Sequence, residues 1–82
     1  MKEREVIRII LEVMLVRIKE KTGYQIVKHD VISAWLGRMI HVPKKYREQV
    51  ITQMEDLKLV KRLDSNKRNW DSSYQIMVVA EE

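Results

Sequence analysis

Eighty-two residues give room for one domain around one modest core, with an ordinary 45% hydrophobic content and a high 34% of charged residues. The absence of cysteine excludes disulfides and thiolate metal sites and fits a reducing compartment. No stretch nears the roughly 18 continuous apolar residues that span a bilayer. The apolar run over 6–18 is broken by Arg8, Glu12 and Arg17, and no small-residue cleavage site follows it. A cytoplasmic, soluble chain without a signal peptide is therefore expected.

The formal net charge is +4, but it is unevenly placed. Arg38, Lys44, Lys45 and Arg47 against Glu48 give residues 38–53 a net +3. Lys61, Arg62, Lys67 and Arg68 against Asp64 give residues 61–69 another +3, while the last thirteen residues are acidic. Charge runs are commonly just solvated faces. Here both cationic clusters fall on elements that bear on function.

A first helix is expected over 3–21, ended by Thr22 and a left-handed Gly23. Glu5, Arg8, Glu12 and Lys19 form its narrow polar stripe. Ile7, Ile10, Leu11, Met14 and Ile18 cover one flank, and Ile9, Val13 and Val16 the other. That apolar arc is wider than a surface helix normally buries. Either the domain wraps it on most sides or Ile9, Val13 and Val16 meet a second copy, and the small chain favours the homodimer. Arg17 falls inside the arc, where it either snorkels or pairs with a carboxylate at an interface.

Residues 24–27 read as a short strand, and Asp30 as the N-cap of a second helix. Val31, Ile32, Trp35, Leu36 and Met39 recur on one helical face, which makes Trp35 a core residue. Pro43 suits the first position of a third helix. Its inner face is expected to hold Tyr46, Val50, Met54 and Leu57, with Ile51 at the margin. Lys45, Glu48, Gln49 and Thr52 point outward, with Lys44 and Arg47 at the flanks. Strands over 59–63 and 74–79 follow, joined by the polar, basic loop 65–73. Asn66 and Asn69 supply its turn chemistry. Trp70 either anchors the loop from beneath or contacts a partner.

The first turn of the third helix is where function is written. Lys44 and Lys45 sit at the positive end of a helix dipole, where cations are disfavoured by about 0.3–1 kcal/mol each. An external anion removes that conflict, and helix N-termini bind phosphate for the same reason. Lys45, Gln49 and Thr52 are base-reading candidates, since Lys can reach guanine and Gln can pair with adenine. Glu48 either accepts from cytosine or pairs with Lys44 or Lys45 one turn back. Arg38, His41, Lys44, Arg47, Lys61 and Arg62 are candidate backbone contacts, with Lys67 and Arg68 at the loop tip.

The run AWLGRMIHVPKKYREQVITQMEDLKLVKR over 34–62, followed by a basic hairpin, resembles the winged helix-turn-helix family of DNA-binding proteins. The resemblance implies an α+β winged helix-turn-helix fold with three helices and a small antiparallel sheet. Its expected order is helix, strand, helix, helix, strand, wing, strand, in one domain over 1–82. It also implies a transcriptional regulator, commonly a homodimer on a pseudo-palindromic site in double-stranded DNA. In this family the third helix ends in a segment like Leu-Glu-x-x-Gly-Leu-Ile, whereas here Lys58 stands in place of the glycine. The small, cysteine-free, Ile- and Lys-rich composition is also similar to winged-helix proteins of hyperthermophilic archaea and their viruses.

Chemistry of other kinds lacks its residues. His29 and His41 are the two histidines, and no carboxylate stands at a recognisable ligand spacing, so no metal is expected. Two glycines, Gly23 and Gly37, form no phosphate-cradling loop. No nucleophile–histidine pattern appears, and neither enzymatic activity, cofactor nor small-molecule ligand is expected. A rival reading makes the same fold a protein–protein module whose basic residues only solubilise it. Single-strand or RNA binding is disfavoured because the aromatics fall mostly at core-like positions.

Overall fold

A computed structural model describes residues 3–63 and 71–78. Three helices and three strands follow in the order α1 (Glu3–Thr22), β1 (Ile26–Lys28), α2 (His29–Met39), α3 (Lys44–Asp56), β2 (Val60–Arg62) and β3 (Ser73–Ile76). The sheet is antiparallel throughout, with β3 central in the order β1-β3-β2. Ile26 and Lys61 lie opposite Gln75 from either side, and Val27 and Arg62 opposite Tyr74. The expected α+β class and element order are thus present. Among the described residues no helix is long and apolar enough to cross a membrane.

The core gathers one face of each element: Leu11, Met14, Leu15 and Ile18 from α1, Ile32 and Leu36 from α2, Ile51 and Met54 from α3. Val27, Val60, Tyr74 and Ile76 supply it from the inner face of the sheet, and Trp35 packs against it as expected. Period-2 alternation puts Ile26, Gln75, Lys61 and Met77 on the other face.

Several sequence expectations need correction. Ile7 and Ile10, assigned to the buried flank of α1, are exposed, whereas Leu15, assigned to neither flank, is fully buried. Among the described side chains of α1 the buried ones begin at Leu11, and those of its first two turns are exposed. Met39 is exposed at the end of α2. On α3, Tyr46 is exposed and Ile51 is fully buried, so the inner face is centred on Ile51 and Met54. Strand β1 starts two residues later than expected because Tyr24 lies outside the ladder.

Helix ends follow different rules from those expected. Asp30 is not the cap of α2: Lys28 holds that position without a side-chain bond, and β1 runs straight into the helix. The His29 amide donates instead to Ser72 O at 2.8 Å, so the residue just before β3 satisfies the first N–H of the helix. Pro43 caps α3 from just outside and accepts from the Tyr46 amide at 2.9 Å. Gly23 is left-handed, φ 75°, and its amide returns to Lys19 O, as expected of the residue ending α1.

The exit of α3 is a Schellman turn with lysine where glycine is usual. The Leu59 amide donates to Met54 O at 2.9 Å and the Lys58 amide to Glu55 O at 3.0 Å. Leu59 and Met54, both buried, supply the apolar contact that accompanies this motif. Lys58 has φ 64°, a conformation that its Cβ opposes and glycine accepts freely. Lys58→Gly is expected to stabilise the domain by about 0.5–1 kcal/mol. A thermal melt should register this as a rise of several degrees; an unchanged or lower midpoint would contradict a left-handed exit.

Candidate nucleic-acid interface

α2 and α3 are joined by a turn whose geometry is fixed from several sides. His41 takes a left-handed conformation, φ 60°, which histidine adopts more readily than most residues. The Val42 amide donates back to Leu36 O at 3.0 Å, and Arg47 Nε donates forward to Val42 O at 3.0 Å. The Arg47 guanidinium lies against Gly37, in the space a Cβ would fill. Gly37 thus gives the flexible end of Arg47 a place to rest, and a Cβ there would make that side chain shift. Arg47, expected at the flank as a phosphate contact, is half-buried and occupied with this joint.

The tip of α3 is open. Lys44, Lys45 and Gln49 are exposed, and the helix has no side-chain cap and no acidic residue in its first turn. The contrast with the other helices is informative. α1 starts with Glu3 and Glu5 on either side of Arg4, and α2, whose N-cap is Lys28, carries Asp30 in its first turn, so each has acidic charge where the dipole favours it. α3 reverses that preference. Lys45 Nζ lies 5.0 Å from the centroid of the exposed Tyr46 ring, a contact that holds the ammonium at the surface. Arg38 is exposed near the end of α2, and His41 is exposed in the turn that leads into this tip.

Glu48 Oε2 lies 3.1 Å from Nε2 of His29, the buried first residue of α2. The approach is close but poorly aligned, so the buried Nε2 has no well-formed hydrogen bond. The tilted ring of Tyr74 stands 6.0 Å away on the sheet side of His29. At about 100° per residue, the buried positions Ile51 and Met54 put Lys45, Gln49 and Thr52 near the centre of the outward face. Glu48 falls to the side facing α2, which is why it meets His29. Thr52 is half-buried, and its hydroxyl donates to Glu48 O at 3.1 Å. No local pattern along the chain marks the His29–Glu48 contact, because nineteen positions separate the pair.

The cations of β2 separate. Lys61 is exposed on the outer sheet face, opposite Gln75. Arg62 is half-buried opposite Tyr74 and engaged by the chain itself. Both line a shallow groove with Glu55 and Lys58 beside the far end of α3. From Lys44 to Glu55 the helix rises about 16 Å, so cationic groups stand at both of its ends. The expected tip cations Lys67 and Arg68, with Asn66, Asn69 and Trp70, lie outside the described residues. At the base of that loop Lys28 Nζ donates to Asp71 at 2.6 Å. This bond and the carboxylate charge raise the lysine above its ordinary value.

No protein-family model, curated protein or solved structure matches this chain. What the site can do therefore follows from its own groups. Among the described residues no three His, Asp or Glu side chains converge as metal ligands. The groove between α2 and α3 combines Asp30 and Glu48 with Lys44 and Arg47, so its charges cancel. Lys44 stands at the rim of that groove and Lys45 outside it, both exposed at the tip, with Gln49 one turn beyond Lys45.

Proposed function

We propose that this protein is a winged helix-turn-helix reader of double-stranded DNA, acting as a small homodimeric transcriptional regulator. The observation that carries this reading is the exposed start of α3, without a side-chain cap, where Lys44 and Lys45 occupy positions the helix dipole reserves for anions. Phosphate supplied from outside completes that helix end. Lys45, Gln49 and Thr52 then face base edges in the major groove, while Lys44, Arg38 and His41 sit where a backbone passes the turn. Lys61 and the loop cations Lys67 and Arg68 reach a neighbouring stretch of backbone. Arg47 acts from beneath by fixing the angle of α3, and Glu48, drawn toward His29, bounds the reading face. Pairing through α1, with Ile9 and Val13 exposed and Val16 half-buried, presents two reading helices to two half-sites.

With roughly 6–10 phosphates contacted per dimer, affinity should fall by about 10³–10⁵ between about 50 and about 200 mM salt. Fluorescence anisotropy on a labelled duplex measures this directly, and a nearly flat response would refute the electrostatic part of the proposal.

A protein–protein module is the second reading, and one observation favours it. Tyr24, Ile26, Leu63 and Met77 are exposed apolar side chains on or beside the outer sheet face. Under that reading the cations at the start of α3 only keep the domain soluble.

A further inference from the structure

We infer that two copies of this chain pair antiparallel along α1, with the two-fold axis near Ile10. Each Arg17 then meets the acidic start of its partner's helix. This deepens the self-association proposed above and is independent of DNA binding. Burial divides the helix lengthwise. Leu11, Met14, Leu15 and Ile18 face the core, whereas Val6, Ile7, Ile9, Ile10 and Val13 keep between 41% and 46% of their surface exposed. At about 100° per residue, Val6, Ile9, Ile10 and Val13 form one strip along the side away from Leu15.

Two charges continue that strip. Glu3 stands one turn before Val6, and Arg17 one turn after Val13. Both are exposed, and among the described residues neither has an ion-pair partner. Arg8, on the polar side, is by contrast paired with Glu12 at 2.9 Å.

The strip complements itself in one direction only. A parallel pair would set Arg17 beside the partner's Arg17 and Glu3 beside the partner's Glu3, with both helix dipoles aligned. An antiparallel pair brings Arg17 within a turn of the partner's Glu3, twice by symmetry, and opposes the dipoles. The end turns carry the same polarity in weaker form: Glu3 and Glu5 outnumber Arg4 in the first, and Lys19 and Lys21 outnumber Glu20 in the last. The occupant of the strip is thus a second copy, because the order of charges along it is its own complement. The overlap from Glu3 to Arg17 spans about 21 Å. One helix face per copy lies at the small end of specific interfaces, so Kd should be on the order of micromolar.

Sedimentation equilibrium on the full chain tests this with exposed positions that leave the core intact. Val13→Glu should give a monomer. Glu3→Arg and Arg17→Glu should each weaken association by about tenfold, and the double exchange should restore it. The cysteine-free chain allows an orientation check by oxidation. Glu3→Cys mixed with Arg17→Cys should cross-link, whereas each alone should not. Single exchanges without effect, or cross-linking of Glu3→Cys with itself, would overturn the antiparallel arrangement. A dimer that survives Val13→Glu would remove α1 from the interface. A wild-type chain that stays monomeric at roughly 100 µM would end the self-association proposal itself, leaving DNA binding to its own salt titration.

Discussion

Exchanging Lys44 and Lys45 together for glutamate should lower affinity for duplex DNA by about 10³-fold at moderate salt, while the folded domain becomes slightly more stable. The first effect follows from removing two charge-assisted phosphate contacts and adding two repulsive charges at the same place. The second follows from the dipole, since carboxylates in a first turn are favoured by about 0.3–1 kcal/mol each. Glu48, one turn beyond Lys44, repels the new carboxylate and trims that gain. Both side chains are exposed, so no core contact changes. Opposite signs for binding and stability are the signature of residues kept for a ligand and not for the fold. Anisotropy titrations and thermal melts on one preparation give both numbers. Under the protein–protein reading the wild type shows no salt-dependent duplex binding for the exchange to remove. A double variant that binds as well as wild type would mean that the tip of α3 is not the contact.

The elements themselves were legible in the sequence because their apolar periods are strong. Gly23, Pro43 and the 3.6-residue recurrence of Ile32, Trp35 and Leu36 mark helix limits and faces by local chemistry alone. What escaped depended on neighbours distant in sequence. Tyr46 lies at a plausible inward spacing, yet α3 packs with Ile51 buried and Arg47 laid against Gly37 of α2, which leaves Tyr46 outside. Asp30 has a capping side chain, but the Ser72 carbonyl already holds the start of α2. The wide apolar arc of α1 was visible, whereas its division was not. Whether Ile10 or Leu15 goes inside depends on where the body of the domain ends along the helix. At the candidate site, Lys44, Lys45 and Gln49 were readable from charge and phase. Arg47 and Glu48 were not, because Val42 and His29 claim them through tertiary contacts. Lys58 was recognisable as a departure, and the backbone kept the glycine conformation in spite of it.

The opposite dissociation is expected on the buried side of the same helix. Ile51 is fully buried and packs beneath the outward face that carries Lys45 and Gln49. Ile51→Ala removes its buried branch and leaves a cavity among Leu36, Met54 and their neighbours in the core, at a cost of about 2–5 kcal/mol. A domain of this size holds only about 5–10 kcal/mol in total. The thermal midpoint should therefore drop by roughly 10–30 °C, readable by circular dichroism. Below that midpoint the variant should still bind duplex with a salt slope close to wild type, because the charges at the tip are intact. A loss of affinity larger than the unfolded fraction explains would show that the angle of α3 is set by the fit of this one side chain. A loss in proportion to unfolding would leave that task to the Arg47 clamp over Gly37, whose hydrogen bond to Val42 does not pass through Ile51.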